Sequence, residues 1–515
     1  VVRSGAIVIQ IIMTGDEYEN DICPLIKAFC PEEEIKVIRN NADRNETEKE
    51  SIIISEEIVD SYLCVQGLKG RELLCKEEEE VFPSAQDKAV TVLSYTHDQQ
   101  VTRKKEIRNH LKRMIYRLLH NMTGRELPWG TLTGIRPTKM VLEKLEAGEK
   151  EADIRRFMSE EYYCSQKKTE LSLMVAGREN RLLKDMDYRN GYSIYIGIPF
   201  CPSTCLYCSF TSYSIQKFGN LAEAYLEALF KEISYAAGVL KNKKLTTVYI
   251  GGGTPTTLNE EQLERLLTHI DKKLKPSQTM EYTVEAGRPD SITADKLKIL
   301  KAHGVTRISI NPQTMEQKTL DLIGRRHTVD EIRNAFALAR KAGHDNINMD
   351  IIVGLPGERM KEVTYTLEEI RKLKPDSLTV HTLALKRASR LNTENVEYES
   401  ANYKEASEMV DATAHFAEAQ GYGPYYLYRQ KNMAGNLENI GYALEGKEGL
   451  YNILIMEEKQ TILALGAGAQ SKFVFHEENR IERVENVKSL VDYIARIDEM
   501  IERKNIFLTE NGHLL

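Results

Sequence analysis

The 515-residue chain carries 42% hydrophobic and 29% charged residues, the balance of a globular protein with sizeable interiors, and its length suggests about two to four domains. A formal charge of -7 argues against a general nucleic-acid-binding surface. The eight cysteines lack the dense, regular spacing of a secreted disulfide scaffold, which favours a reducing compartment with thiols free for metal.

The first apolar run, "AIVIQIIM", is too short to span a bilayer and has no small-residue cleavage site, so it reads as a buried strand and the chain as cytoplasmic. "SIIISEEIV" and "AVTVLSY" are further strand-like runs. In "RKKEIRNHLKRMIYRLLHNM", helical spacing puts Ile107, Leu111, Met114, Ile115, Leu118 and Leu119 on one face. The opposite, basic face is read as a solvated flank rather than a nucleic-acid surface. The polar, turn-rich "KDMDYRNGYS" marks a boundary, giving a mixed then helical region over 1–185, a second region over 186–390 and a third over 391–515.

From Tyr192 to about Leu385, short β-branched or aromatic runs alternate with amphipathic stretches: "YSIYIGI", "TTVYIG", "EYTVEA", "RISINP", "NINMDIIVG" and "SLTVHTL". Alternation of this kind predicts an α/β fold, a parallel partial (βα)6 barrel. The uncommon residues follow or end these strands, where barrel enzymes keep their chemistry. The last region reads as an α+β cap, with helix-like "EASEMVDATAHFAEAQ", strand-like "KQTILALG" and helix-like "VKSLVDYIARIDEMIE".

After the first strand comes "IPFCPSTCLYCSF", which crowds Cys201, Cys205 and Cys208 into eight residues. Three buried residues of a helix would fit the spacing, but Pro199 and Pro202 suit a loop instead. A structural zinc needs four ligands, usually from a second Cys pair that this sequence lacks. Three thiolates suit a [4Fe-4S] cluster with one iron left open to a ligand.

Cys-x3-Cys-x2-Cys after the first strand of a βα barrel resembles the radical S-adenosylmethionine superfamily. Together with "IGGGTPTTL", "TVEAGRPDSIT", "GVTRISINPQT", "IGRRHT" and "MDIIVGLPGE" it resembles the oxygen-independent coproporphyrinogen III dehydrogenase group. The match is strong over about 192–385 and weaker to about Phe473, and the amino-terminal extension with "LPWGTLTGIRPTK" is similar to the HemZ branch.

The resemblance implies a radical SAM partial barrel in which Cys201, Cys205 and Cys208 hold a [4Fe-4S] cluster. It also implies that Tyr195, Tyr207, Gly252, Gly253, Thr254, Glu285, Gln313, Arg325, Asp350 and Ala384 contact S-adenosyl-L-methionine. Glycines let backbone approach a ligand closely, and a guanidinium at Arg325 suits two-point contact with a carboxylate. Asp350 interrupts an apolar strand, so it needs a partner, either a ribose hydroxyl pair or a neighbouring cation. Tyr195 falls at the family position near both cofactor and reacting propionate, and is the catalytic candidate. The implied reaction is oxidative decarboxylation of two coproporphyrinogen III propionates to vinyl groups, with electrons from a donor such as flavodoxin or ferredoxin. Lys386 and Arg387 are candidates for orienting the substrate carboxylates, against a plain solvated loop. Two departures bear on activity: Phe210 stands where the dehydrogenases have a fourth cysteine, and Gly197 replaces a common histidine. They leave open a haem-binding carrier or an enzyme acting on another tetrapyrrole.

Overall fold

The structure is a computed structural model that describes residues 8–13, 17–31, 33–38, 52–59, 62–69, 72–80, 97–134, 136–240, 242–383, 403–430 and 437–512. The chain divides into two compact units, Val1–Leu173 with Arg429–Leu437, and Met174–Tyr428 with Glu438–Leu515.

In the first unit, β1 (Val8–Ile12), β2 (Glu34–Ile38), β3 (Ile52–Val59), β4 (Tyr62–Lys69) and β5 (Glu72–Glu80) form one sheet in the order β2-β1-β3-β4-β5. The β1 pairs are parallel, while β3–β4 and β4–β5 are antiparallel. Helix Glu19–Phe29 buries Ile22, Leu25, Ile26 and Phe29, spaced to share one face, against Ile9, Ile11 and the helix His97–Thr123. That second helix contributes Leu111, Met114, Ile115, Leu118 and Leu119 to the same core, with Ile107 at its edge, as the spacing predicts. A Cβ on Gly67 of β4 would come 2.9 Å from Met122 Sδ, so glycine there lets helix and sheet close. The run "AVTVLSY" lies outside the described residues.

The second unit contains all six predicted barrel strands: β6 (Gly191–Ile198), then, after the short β7 (Phe200–Cys201) and β8 (Tyr213–Ser214), β9 (Lys244–Gly252), β10 (Glu281–Gly287), β11 (Arg307–Ile310), β12 (Ile347–Val353) and β13 (Ser377–Thr382). Each pairs in parallel with the next. Helices between them start on designed stops: Asn259 and Thr328 form reciprocal capping boxes with Gln262 and Glu331, and the Thr293 side chain caps a third.

The carboxy-terminal strands β14 (Gly423–Tyr428), β15 (Asn439–Ala443), β16 (Thr461–Leu465), β17 (Gln470–Phe475) and β18 (Arg480–Glu485) extend both edges of this sheet, whose order is β14-β15-β13-β12-β11-β10-β9-β6-β16-β17-β18. β16 runs parallel to β6, a seventh parallel strand. The chain from β15 to β16 therefore passes from one edge to the other, and helix Leu450–Met456 lies on this path. Glu281, the first residue of β10, caps it: Oε2 accepts from Leu450 N at 2.5 Å and Oε1 from Tyr451 N at 3.4 Å. The closing stretch read as one helix is two, Leu490–Ala495 and Ile497–Asn511, and after the break at Arg496 the second carries Lys504 to Glu232.

Alternation along the strands sorts two faces. Ile194, Ile196, Val248, Ile250, Val284, Ile308 and Met349 are buried on one. The other is polar: Thr247 Oγ1 donates to Ser193 Oγ at 2.8 Å, Ser377 Oγ to Asn348 Oδ1 at 3.0 Å, and Arg307 reaches past β12 to Ser377 Oγ at 2.9 Å. Contacts between non-neighbouring strands belong to a concave face, so the barrel interior is hydrogen-bonded rather than hydrocarbon.

Candidate functional site

The strand ends and the loops just beyond them collect most of the predicted residues. The cysteine loop is stitched to the glycine loop: Gly253 N donates to Ile198 O and Thr254 N to Phe200 O, both at 2.8 Å, and Thr254 Oγ1 lies 3.6 Å from Cys201 Sγ. Gly252 has φ +109°, a left-handed backbone that a side chain disfavours. A Cβ on Gly253 would meet Phe200 O at 2.6 Å and Cys201 Sγ at 3.0 Å, so the two loops approach as only glycine allows.

Cys201 and Cys205 are buried and Cys208 is half-buried, with Cys208 N donating to Cys205 O at 3.2 Å. Burial pushes the Cys201 thiol up to about 11, with smaller upward contributions from Cys205 and Cys208. Among the described residues no group of three His, Cys, Asp or Glu side chains already converges as a metal site. The donor chemistry nevertheless fits an iron–sulfur cluster: three thiols on one loop, with guanidinium charge at hand to offset the thiolates. Arg288 Nη1 lies 3.7 Å from Cys205 Sγ, and Arg325 contacts both Cys205 and Tyr207.

Arg325 is buried, and its Nη1 donates to Asn311 O, leaving Nε without a hydrogen-bond partner. Burial opposes its charge, but Tyr207 and Cys205 outweigh that and hold the guanidinium above its ordinary value. Burial also lifts the Tyr207 phenol far above its usual range. Gln313, at φ +67°, bonds through its backbone to Asp350 O and Ile352 N, each at 2.9 Å, while its buried Oε1 has no partner. Orphaned donors and acceptors of this kind suit a polar ligand.

Glu285, two residues before the end of β10, accepts from Tyr249 OH at 2.5 Å. Burial, moderated by that bond and reinforced by Asp350, raises its carboxyl to about 7. The Tyr249 ring stacks on Tyr451 at 4.4 Å and on Tyr195 at 6.2 Å, so Tyr195 is one of three stacked tyrosines in the interior. Among the described residues Asp350 has neither Arg nor Lys as its direct partner: Asn348 Nδ2 donates to Oδ1 at 2.6 Å, and His381 Nε2 lies 3.8 Å from Oδ2. Burial works against its charge, but His381 and Asn348 hold the carboxyl below the usual range. Ala384, Lys386 and Arg387 lie outside the described residues. Phe210 is exposed.

Sequence reasoning passed over a polar set beside the cysteines. Arg288 pairs side-on with Asp290, Nε to Oδ1 at 3.0 Å and Nη2 to Oδ2 at 2.6 Å, and its Nη1 donates to Ser203 O and Oγ at 2.9 Å. His327 is buried with neither ring nitrogen hydrogen-bonded, and burial together with Arg325 depresses it to about 3. Arg288, Asp290 and His327 fall within the motifs "TVEAGRPDSIT" and "IGRRHT", but the resemblance assigned roles only to Glu285 and Arg325 there.

Comparison with known proteins agrees with this architecture. The Radical SAM superfamily profile matches residues 195–370, which defines the class. The chain is 42% identical over 411 residues to the oxygen-independent coproporphyrinogen-III oxidase-like protein HemZ of Bacillus subtilis, covering 79% of this chain and 82% of that one. It is 34% identical over 313 residues to the heme chaperone HemW of Bacillus subtilis, covering 59% and 76%. Coproporphyrinogen III oxidase (HemN) from Escherichia coli, a solved structure, aligns with TM-score 0.49 and 23% identity over 62% of this chain and 72% of that one. The chain belongs to the radical SAM superfamily and, within it, to the family of the HemZ oxidase-like protein.

Proposed function

We propose that this chain is an oxygen-independent oxidoreductase that converts propionate side chains of coproporphyrinogen III to vinyl groups, giving protoporphyrinogen IX. The observation that supports the reading is the placement of Tyr195, Glu285 and Asp350 on the barrel strands and of Gly252, Gln313 and Arg325 at or beyond strand ends, on the same sheet as the loop that carries Cys201, Cys205 and Cys208. Cys201, Cys205 and Cys208 would hold a [4Fe-4S] cluster. Arg325, with its free Nε, would hold the carboxylate of S-adenosylmethionine, Gly252–Thr254 its amino group and Asp350 its ribose hydroxyls. When bound, these groups supply the one-electron cleavage that makes a carbon radical able to remove a substrate hydrogen atom.

The chain's own part is positioning and exclusion. The Asn348 and His381 contacts keep Asp350 ionised and acceptor-only, as hydroxyl donors require. The Tyr195 ring packs against the stacked Tyr249 and Tyr451 pair, which restrains its orientation. Buried Arg325 and half-buried Tyr207 would limit water at the reacting end. An external one-electron donor such as flavodoxin or ferredoxin is required, together with a one-electron acceptor for the electron released as CO2 leaves, and the seven described cysteines, all free thiols, suit a reducing cytoplasm.

The similarity to HemW and the exposed Phe210 favour a specific second reading, a cluster-bearing haem carrier. Anaerobic incubation of reduced, cluster-loaded protein with S-adenosylmethionine and coproporphyrinogen III separates them. Mono- and divinyl products with CO2 support the oxidoreductase. Absence of vinyl product, with added haem bound and recovered unaltered, supports the carrier.

A further inference from the structure

We infer that Arg288 sets the reduction potential of the cluster held by the cysteine loop, with Asp290 as its restraint. The inference rests on the cluster reading above and concerns residues that reading does not use.

Arg288 is 3% exposed, and a guanidinium buried to that degree needs acceptors on every side. Asp290 takes one edge through two bonds, at 3.0 and 2.6 Å. The remaining nitrogen, Nη1, turns to the cysteine loop, where it meets Ser203 O, Ser203 Oγ and Cys205 Sγ at 2.9, 2.9 and 3.7 Å. The fork is thus locked in orientation, with one N–H edge directed at a ligand sulfur. Among the described residues the Arg325 guanidinium also faces Cys205, and the neutral His327 imidazole has its Nδ1 3.8 Å from Asp290 Oδ1.

Reduction adds one electron and hence one negative charge to the cluster. A fixed cation and an N–H directed at a coordinating sulfur stabilise the reduced form more than the oxidised one, which raises the potential. Asp290, in bidentate contact with the same guanidinium, acts in the opposite direction. Because neither residue is among the predicted thiolate or S-adenosylmethionine contacts, their effects fall on the potential rather than on ligation.

The test is an anaerobic potentiometric titration of the reconstituted full chain, read by the electron paramagnetic resonance signal of the reduced cluster. Arg288→Gln is expected to shift the midpoint negative by a tenfold or greater change in the reduced-to-oxidised ratio, about 59 mV for a one-electron couple. Asp290→Asn, which leaves the guanidinium and removes its compensating charge, is expected to shift it positive. An unchanged midpoint in a cluster-loaded Arg288→Gln protein overturns the inference. Should that variant fail to retain its cluster, Asp290→Asn decides: a positive shift supports the inference, and none or a negative one overturns it. A wild-type chain that takes up no cluster overturns instead the reading on which the inference rests.

Discussion

Lys504 and Glu232 are both fully buried, and their ion pair is a place where charge can be subtracted with a calculable result. Glu232 Oε1 accepts from Lys504 Nζ and Asn486 Nδ2, each at 2.8 Å, while Oε2 accepts from Gly466 N at 2.8 Å and Tyr493 OH at 2.6 Å. Lys504 also donates to Asn486 Oδ1 at 2.5 Å, so the network is satisfied and neutral overall. Lys504→Met removes the only cation in it and leaves a buried carboxylate, a change that costs about 3–5 kcal/mol. Amide exchange over 497–511 should then quicken by roughly a hundred- to several-thousand-fold. Exchange read by mass spectrometry is the assay, because the single tryptophan, Trp129, belongs to the other unit. Adding Glu232→Gln to Lys504→Met removes the stranded charge but keeps an amide of the same shape, so the double variant should regain part of the loss. A double variant less protected than Lys504→Met alone would show that charge burial is not the cause.

Replacing Cys201, Cys205 and Cys208 together by Ser should abolish retained cluster iron after anaerobic reconstitution, whereas full iron content in that variant would place the cluster elsewhere. Gly253→Ala should push the glycine loop off Phe200 O and Cys201 Sγ, costing about 1–3 kcal/mol and weakening S-adenosylmethionine binding measured by equilibrium dialysis. Arg325→Ala should weaken the same binding by about 1–3 kcal/mol, roughly five- to 150-fold. For Glu285, the folded value of about 7 lies above the ordinary 4.5, so between them the folded chain keeps a proton that the unfolded chain has lost. Its contribution to stability therefore falls as pH rises through that window. Glu285→Gln should flatten the pH dependence of unfolding there, and an unchanged slope would contradict the shift.

The barrel strands were legible because each is a short β-branched run bounded by turn residues, and the candidate site residues came from the motifs that interrupt or follow those runs. What stayed hidden has physical reasons. Both faces of the barrel strands are buried, so the polar row of Ser193, Thr247, Thr283 and Ser377 does not stand out as a solvent face would. "LYNILIM" is a seven-residue apolar run that suits strand or helix alike, and the Glu281 carboxylate that makes it a helix start is 169 residues away. Strand β5 ends in four glutamates, a composition that reads as a solvated connector until its pairing with β4 is seen. Arg288 and Asp290 occupy a turn-like segment, and only folding brings the Arg288 guanidinium against Cys205.

The central claim joins radical chemistry to a tetrapyrrole propionate, and isotope transfer tests that junction most directly. Coproporphyrinogen III deuterated at the propionate β carbons is incubated with reduced, cluster-loaded protein and S-adenosylmethionine, and the 5'-deoxyadenosine formed is analysed by mass spectrometry. The account predicts one deuterium in the 5'-deoxyadenosine, accumulating in step with vinyl product. Unlabelled 5'-deoxyadenosine together with an unchanged tetrapyrrole would contradict it.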